Sequence, residues 1–332
     1  MPERERMPVA FITGATGFIG HHVAAALIRR GWSLRALCRK QPAWSMAGIS
    51  WHTGDIRNPG DIMSAISGAE AVFHVAADYR LWAANPKEIY ESNVAGTVNV
   101  LQAALAAGVA RVVHTSSVGA LGLHPDGSPA DENTPVSLND MVGHYKRSKF
   151  LAEREAEKFL DKGLAVVFVH PSTPVGPGDF KPTPTGKIIV DYLNRKMPAY
   201  MDTGLNLVDV RDVAEGHCLA LEKGRVGERY ILGNQNLTLA EIFEILETIS
   251  KVPAPRVKLP YTPILWLAGI LRLISLVTRK EPLFPYEGVK MAAKHMYFDP
   301  SKAIRELGFP QTPVETALSD AVTWFKLEGY VK

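Results

Sequence analysis

The stretch Val9-Ala10-Phe11-Ile12-Thr13-Gly14-Ala15-Thr16-Gly17-Phe18-Ile19-Gly20 decides the fold of this chain. An apolar, β-branched run predicts a buried strand, and an apolar helical pattern over 19–30 follows the glycines. Gly14 permits a tight turn, Gly17 lets the backbone approach a pyrophosphate, and Gly20 allows close helix packing. Because a helix N-terminus also offers free N–H groups to an anion, the stretch predicts a dinucleotide-binding turn. Its predicted cofactor-binding residues are Gly14, Thr16, Gly17, Phe18, Ile19 and Gly20.

Strand and helix patterns alternate through the first half of the chain. We predict strands over 9–13, 33–38, 71–75, 111–115 and 165–170, and helices over 19–30, 87–107 and 144–161. This alternation predicts an α/β fold of the Rossmann type, a doubly wound parallel sheet with helices on both faces. In such sheets ligands bind at the carboxyl ends of the strands.

The character of the sequence changes after His170. Prolines at 171, 174, 177, 182 and 184 interrupt the alternation, which predicts a smaller C-terminal substrate lobe. We therefore divide the chain into a nucleotide-binding domain over 1–170 and a mainly substrate-binding lobe over 171–332. Helices are predicted over 210–222 and 239–249. The boundary is soft, because the first domain can still borrow elements from the second half.

Composition limits the functional classes. The 332 residues carry a net charge of +3, too small by itself to indicate a nucleic-acid surface. Cys38 and Cys218 lie far apart and belong to no cysteine or histidine cluster, so neither a metal site nor a disulfide is expected. The N-terminus does not resemble a signal peptide, and a cytoplasmic location is expected. The apolar stretch 264–277 is interrupted by Arg272, so no transmembrane segment is expected.

The cofactor type is indicated by the end of the second strand. An NAD site usually carries an acid there, whereas Arg39 and Lys40 suit a 2′-phosphate. We therefore predict NADP, with NAD as an alternative; the competing interpretation is two solvated surface charges.

Two further segments are candidates for cofactor contacts. Asp55, followed by Ile56, could accept a hydrogen bond from adenine or simply form a turn. Small side chains after the next predicted strand would let the cofactor lie against the backbone, namely Val75, Ala76 and Ala77.

Three side chains predict the chemistry. Tyr145 and Lys149 are four residues apart, and therefore lie on one face of a helix. A nearby ammonium favours the phenolate and should lower the tyrosine pKa. Ser117, in the run Thr115-Ser116-Ser117 at a strand end, could hydrogen-bond the substrate oxygen while Tyr145 transfers a proton. No G-x-S-x-G motif surrounds these serines, so a hydrolase triad is disfavoured.

The motifs together resemble the extended short-chain dehydrogenase/reductase family. TGATGFIG, GDI, HVAA, NVAGT, TSS, YKRSK and HPSTPVGPGD occur in the family's order. Within it the chain is similar to hopanoid-associated sugar epimerases, through AADYRLWA, STPVGPGDFKPTPTG, NLVDVRDVAEGH and GERYILGNQNLTL, and to dihydroflavonol 4-reductases.

The resemblance implies a role for individual residues. It identifies Ser117, Tyr145 and Lys149 as catalytic and Asn93 as part of a proton relay. It also implies that Thr115 and the stretch Pro171-Ser172-Thr173 contact the cofactor. A homodimer formed through the helices over 87–107 and 144–161 is implied in the same way.

The sequence departs from typical nucleotide-sugar epimerases in the substrate lobe. The arginine expected before the V-x-D-x-A helix is missing from Gly204-Leu205-Asn206-Leu207, and Phe298-Asp299-Pro300-Ser301 replaces a late arginine motif. A sugar pyrophosphate needs such cations. Lys181, Lys187 or Arg211 could compensate, or could be solvent-facing charges.

Candidate substrate contacts are few. Tyr79, Trp82 and the stretch 264–277 could line an apolar pocket or be ordinary core. A helix in a membrane interface is less expected for 264–277, because its polar face is thin.

We predict an NADP(H)-dependent oxidoreductase, similar to dihydroflavonol reductases, that exchanges hydride with a carbonyl or alcohol carbon of a small organic or sugar-like substrate. The resemblance also implies a link to hopanoid lipid metabolism. The alternatives are a nucleotide-sugar epimerase or dehydratase with retained NAD, and a non-catalytic dinucleotide-sensing regulator.

Overall fold

The computed structural model describes residues 7–44, 46–282 and 285–332. The charged residues before Met7, which entered the signal-peptide argument, lie outside the described residues. The strands are β1 Val9–Thr13, β2 Ser33–Cys38, β3 Ile49–Thr53, β4 Ala71–His74, β5 Arg111–Thr115, β6 Val166–Pro171, β7 Thr173–Val175, β8 Ala199–Met201, β9 Gly204–Asp209, β10 Arg229–Leu232, β11 Gln235–Thr238, β12 Val257–Leu259 and β13 His295–Met296. The helices are α1 Phe18–Arg29, α2 Pro59–Ile66, α3 Lys87–Tyr90, α4 Gly96–Ala106, α5 Gly143–Glu157, α6 Pro184–Leu193, α7 Val210–Lys223, α8 Leu239–Ser250, α9 Tyr261–Thr278, α10 Tyr286–Met291, α11 Ser301–Leu307 and α12 Val314–Leu327.

A seven-stranded parallel sheet forms the centre, in the order β10-β6-β5-β4-β1-β2-β3. The apolar runs β4 and β6 are buried along their whole length, as expected for strands covered on both faces. One face packs against α1, α7 and α11, and the other against α2, α4 and α5. The predicted Rossmann-type parallel sheet is confirmed.

The second half of the chain contributes to both parts of the molecule. Its strand β10 pairs with β6 at the edge of the central sheet, and α7 packs against α1. Strands β7, β9, β11 and β13 form a separate small sheet, which shares a core with α6, α8 and α12. The division at residue 170 stays a prediction.

Two elements differ from expectation. The helix predicted over 87–107 is α3, then a π-helical turn at Glu91–Ala95, then α4. The stretch 264–277 forms most of α9. Because Ala268 and Ser275 are the buried residues of this helix, most of the stretch lies outside the core. Among the described helices, α9 is long and apolar enough to cross a membrane, by length and composition only.

Candidate active site

The glycine turn forms a backbone cradle. Gly14 has a φ of +79°, and a Cβ there would lie 2.6 Å from the Ala76 nitrogen. A Cβ on Gly20 would lie 2.0 Å from the Gly14 carbonyl oxygen, so both positions require glycine. Helix α1 begins at Phe18, and no side chain caps its N-terminus within the described part of the chain. Free N–H groups at a helix N-terminus suit a pyrophosphate; that this turn binds one stays a prediction.

The other predicted cofactor residues differ in their exposure and in the contacts that they make. Arg39 and Lys40 are exposed at the end of β2. The pKa of Asp55 is lowered mainly by its hydrogen bonds with Arg57 and that of Asp78, against the effect of burial, by its hydrogen bonds with Arg80, and the Arg39 charge adds to both shifts. The Asp55 carboxylate is held by Arg57 at 2.7 Å. The segment Val75-Ala76-Ala77, with small side chains, is half-buried directly after β4.

The predicted catalytic side chains meet at the carboxyl ends of β5 and the start of α5. The Ser117 hydroxyl accepts a hydrogen bond from the Gly119 N–H at 3.0 Å and also interacts with the Tyr145 phenol. The buried Lys149 ammonium donates to the Thr115 carbonyl at 2.7 Å. The structure therefore brings the predicted trio together; their catalytic roles stay predictions.

The electrostatics of the trio correct one expectation. Burial raises the pKa of the Tyr145 phenol, while the Ser117 hydrogen bond acts the other way. Burial lowers the pKa of Lys149 to about 8, and the nearby Glu153 opposes that shift. The tyrosine pKa was expected to fall because of Lys149. It rises because desolvation dominates and the ammonium is directed at the Thr115 carbonyl.

Asn93 lies in the π-helical turn and fixes the loop after β4. Its amide oxygen accepts from the Asp78 N–H at 2.7 Å, and its nitrogen donates to the Asp78 carbonyl and the Ser148 hydroxyl, each at 2.9 Å. It thus joins the strand-end loop to α5, one turn from Tyr145. A water or substrate relay through Asn93 stays a prediction.

Glu153 is a site residue that the sequence analysis missed. Its buried carboxylate accepts from Ser116, from Arg229 at 2.7 Å and from His170 at 2.8 Å. Arg229 and His170 belong to β10 and β6, and Ser116 directly follows β5, so one carboxylate ties α5 to two strands and to the end of a third. The spacing Tyr145, Lys149, Glu153 places all three on one helix face, which was the available signal.

A small pocket of about 110 Å³ lies at the start of α5, where Lys146 follows Tyr145 in the chain; neither the trio nor any residue of 264–277 belongs to its lining. Its lining includes Leu121, Gly122, Met141, Val142, Lys146, Met291 and Lys294. Lys146 contacts the Met296 sulfur at 3.6 Å, and burial with repulsion from Lys294 lowers its pKa to about 8. Neither lysine was predicted, because only the fold brings α5 and the segment after α10 together.

The predicted substrate residues lie elsewhere. Neither Arg211 nor Lys181 lines this pocket. Arg211 is bound by Asp209 and by Asp320, the latter at 2.6 Å, and Lys181 is exposed. Tyr79 is exposed and Trp82 half-buried in the loop after β4.

The backbone cradle on the parallel sheet and the Ser/Tyr/Lys cluster at its edge define an NAD(P)-dependent enzyme of the extended short-chain dehydrogenase/reductase type. The NAD dependent epimerase/dehydratase family model matches residues 10–233. The chain belongs to this family.

Individual relatives cover nearly the whole chain. It is similar to the "Putative dihydroflavonol 4-reductase" of Synechocystis sp., with 45% identity over 97% of this chain and 96% of that protein. It is 34% identical to sterol demethylase protein B of Methylococcus capsulatus, over 96% of this chain and 99% of the relative. The crystal structure of gox2253 matches with a TM-score of 0.86 and 44% identity, covering 98% of this chain and 99% of that one.

Proposed function

We propose that this enzyme is an NADP(H)-dependent oxidoreductase that interconverts a carbonyl and an alcohol on an apolar small molecule. The observation that carries the proposal is the cluster of Ser117, Tyr145 and Lys149 at one sheet edge, beside the glycine cradle. The bound nicotinamide supplies or receives the hydride. Ser117 orients the substrate oxygen, and Tyr145 donates a proton to it in the reductive direction. Lys149 stabilises the phenolate that remains when its ammonium turns from the Thr115 carbonyl towards the phenol.

The preference for NADP is supported by charge. Arg39 and Lys40 are exposed at the strand end where an NAD site carries an acid. Asp55 does not replace that acid, because Arg57 holds its carboxylate at 2.7 Å. A 2′-phosphate would be recognised through charge-assisted hydrogen bonds from Arg39.

An apolar substrate body is supported by one relative. The pocket beside Tyr145 combines the apolar side chains of Leu121, Met141, Val142 and Met291 with Asp140, Lys146 and Lys294, and most of its exposed lining is polar. A relative named sterol demethylase protein B supports a polycyclic lipid, and a link to hopanoid lipids is proposed on that basis. The lysines Lys146 and Lys294 would then face a polar or acidic substituent of the substrate.

Epimerisation or dehydration of a sugar-like substrate with retained NAD is the second candidate, favoured by the family match over 10–233. Against it, β9 carries no arginine to bind a second pyrophosphate, and Arg211 is already paired with two acids.

The test is turnover of NADPH with a panel of aldehydes, ketones and 3-keto steroids, using Tyr145→Phe. The variant should lower kcat about 10² to 10⁴-fold and leave NADPH binding, measured by fluorescence, within about twofold. Tyr90→Phe, which removes a hydroxyl contacting His144, is the matched control and should keep full activity. If the purified protein instead retains stoichiometric NAD that does not exchange, the oxidoreductase proposal fails and the epimerase replaces it.

A further inference from the structure

Helix α9 presents an apolar row to solvent. Trp266 is 74% exposed, Leu273 65% and Val277 85%. The exposed row follows the spacing of one helix face and consists of Trp266, Ile270, Leu273, Ile274 and Val277. A contiguous apolar surface of this kind marks a binding face.

The opposite side of α9 faces the protein. Its buried residues Ala268 and Ser275 are seven positions apart and therefore share a face. Arg272 lies over the Tyr286 ring at 5.2 Å, so the charge within the helix points along α10. The sequence argued against an interfacial helix because its polar face is thin. The side of α9 where a polar face would be expected packs against the protein instead of facing solvent.

The charge around α9 is strongly positive. Residues 256–294 contain seven lysines and arginines and two glutamates, a net charge of +5, whereas the whole chain has +3, so the rest carries −2. Exposed cations stand before the helix, at Arg256, and directly after it, at Arg279 and Lys280; Lys258, also before the helix, is paired with Asp202 at 2.7 Å. Cations at both ends of an apolar row match an anionic lipid surface.

We propose that α9 docks this protein on anionic lipid bilayers, lying in the plane of the interface with its apolar row inserted. A spanning orientation is disfavoured because both ends return to the same body. Strand β12, which ends two residues before α9, pairs with β8, and α10 packs back along α9.

The docking face lies next to the site. A cavity of about 470 Å³ opens at the base of α9, between Lys258, Tyr261 and Ala293. The pocket beside Tyr145 begins on the other side of the same short segment, at Met291 and Lys294. An apolar substrate dissolved in the bilayer would enter through this cavity and reach the pocket beside Tyr145. That consequence rests on the proposed oxidoreductase function, whereas docking itself does not.

Vesicle co-sedimentation of the full chain, without substrate, tests the docking. We expect binding to vesicles of 70% phosphatidylcholine and 30% phosphatidylglycerol, weakened several-fold in 0.5 M salt and much weaker on pure phosphatidylcholine. The double variant Ile270→Glu/Leu273→Glu should lower the partition coefficient at least about tenfold. Leu327→Glu, at an 81% exposed position on α12, is the matched control and should bind as the wild type does.

Insertion is measured separately with a fluorophore on Trp266→Cys, since both native cysteines are buried. Its emission should shift to the blue on anionic vesicles, and a label on Leu327→Cys should not shift. Equal partitioning of wild type and double variant would overturn the proposal. Resistance to alkaline carbonate extraction would also overturn it, because it indicates a membrane-spanning helix. A dimer that the double substitution dissociates, with no binding to vesicles, would overturn it too, because it indicates that a second copy covers this face. Because NADPH turnover does not enter these measurements, failure of the proposed function leaves them unaffected.

Discussion

At the scale of single residues, burial decides the protonation states of the site. It moves the Tyr145 pKa upward and the Lys149 pKa down to about 8, so both shifts favour the neutral form. A protonated phenol at neutral pH suits a general acid that delivers a proton to a carbonyl oxygen. This agrees with the proposed reductive direction.

Cofactor selectivity is the prediction that belongs to this scale. Arg39→Ala should weaken NADPH binding about tenfold or more, because a charge-assisted contact with the 2′-phosphate is lost, and should leave NADH binding nearly unchanged. Fluorescence titration of both cofactors measures the two dissociation constants. Arg35→Ala on the same strand, whose side chain bonds the Ser67 carbonyl, is the control. Equal losses of affinity for NADPH and NADH would mean that Arg39 does not recognise the 2′-phosphate.

Sequence predicted the residues whose chemistry has a local signature. Gly14 and Gly20 belong to a recognisable turn, and Tyr145 with Lys149 to a helical spacing. Glu153, Lys146 and Lys294 were missed because their importance depends on burial and on partners distant in the chain. The direction of the Tyr145 shift was also wrong, since sequence shows a neighbouring charge but not the desolvation that outweighs it.

At the scale of elements, α5 is held in register by one buried carboxylate. Glu153 binds the end of β5, β6 and β10 through Ser116, His170 and Arg229. Burial alone would raise its pKa, but His170 and Arg229 hold the pKa well below the usual range. The charged form therefore stabilises the fold above the unfolded-state pKa of about 4.3, and this contribution is lost only as the pH falls through the lower folded value.

Glu153→Gln keeps the shape and removes the charge. We expect the free energy of unfolding at pH 7 to fall by about 1 to 3 kcal/mol, because the buried network loses a charged hydrogen-bond acceptor while Arg229 keeps Glu157 as a partner. Denaturant unfolding measures the change, and the gap between variant and wild type should narrow below about pH 4. Glu155→Gln, whose exposed pair with Lys158 spans 2.7 Å, should change stability by less than about 1 kcal/mol. A gap that stays constant with pH would show that hydrogen bonding, rather than charge, fixes α5.

The structure of two elements could not be predicted from the spacing of apolar residues. The pattern over 87–107 predicted one continuous helix, and the π-helical turn that positions Asn93 leaves no mark in apolar spacing. The apolar stretch 264–277 was assigned to core or pocket because apolar helices usually are buried. Its exposure depends on which face the rest of the molecule covers, which no local pattern contains.

At the scale of the whole molecule, strands from both halves of the chain complete one sheet. Two buried histidines, on β4 and β5, lie within this sheet, and a third, on α7, contacts Thr115 of β5. His74, His114 and His217 are almost entirely buried. Burial lowers the pKa of His74 to about 3 and that of His217 to about 4, and lowers that of His114 well below its usual value. Lys149 adds to the shift at His74 and His114. All three therefore stay neutral in the folded state.

These histidines predict loss of stability in mild acid. The unfolded chain takes up protons at histidine below a pH of about 6.5 while the folded chain does not, so stability is present above that pH and falls towards about pH 4. Burial also lowers the pKa values of His21 and His22, which act in the same direction. Burial raises the pKa of Asp179 to about 6 and also raises the pKa values of Glu132 and Asp212, and these acids act in the opposite direction. Scanning calorimetry between pH 7.5 and 5 should show a steadily falling Tm. His114→Leu should make that fall smaller than in the wild type, at little cost at pH 7.5, because neither ring nitrogen of His114 has a hydrogen-bond partner among the described residues. A Tm that is constant over this range, or a fall that His114→Leu leaves unchanged, would mean that the histidines are not what makes the sheet sensitive to acid.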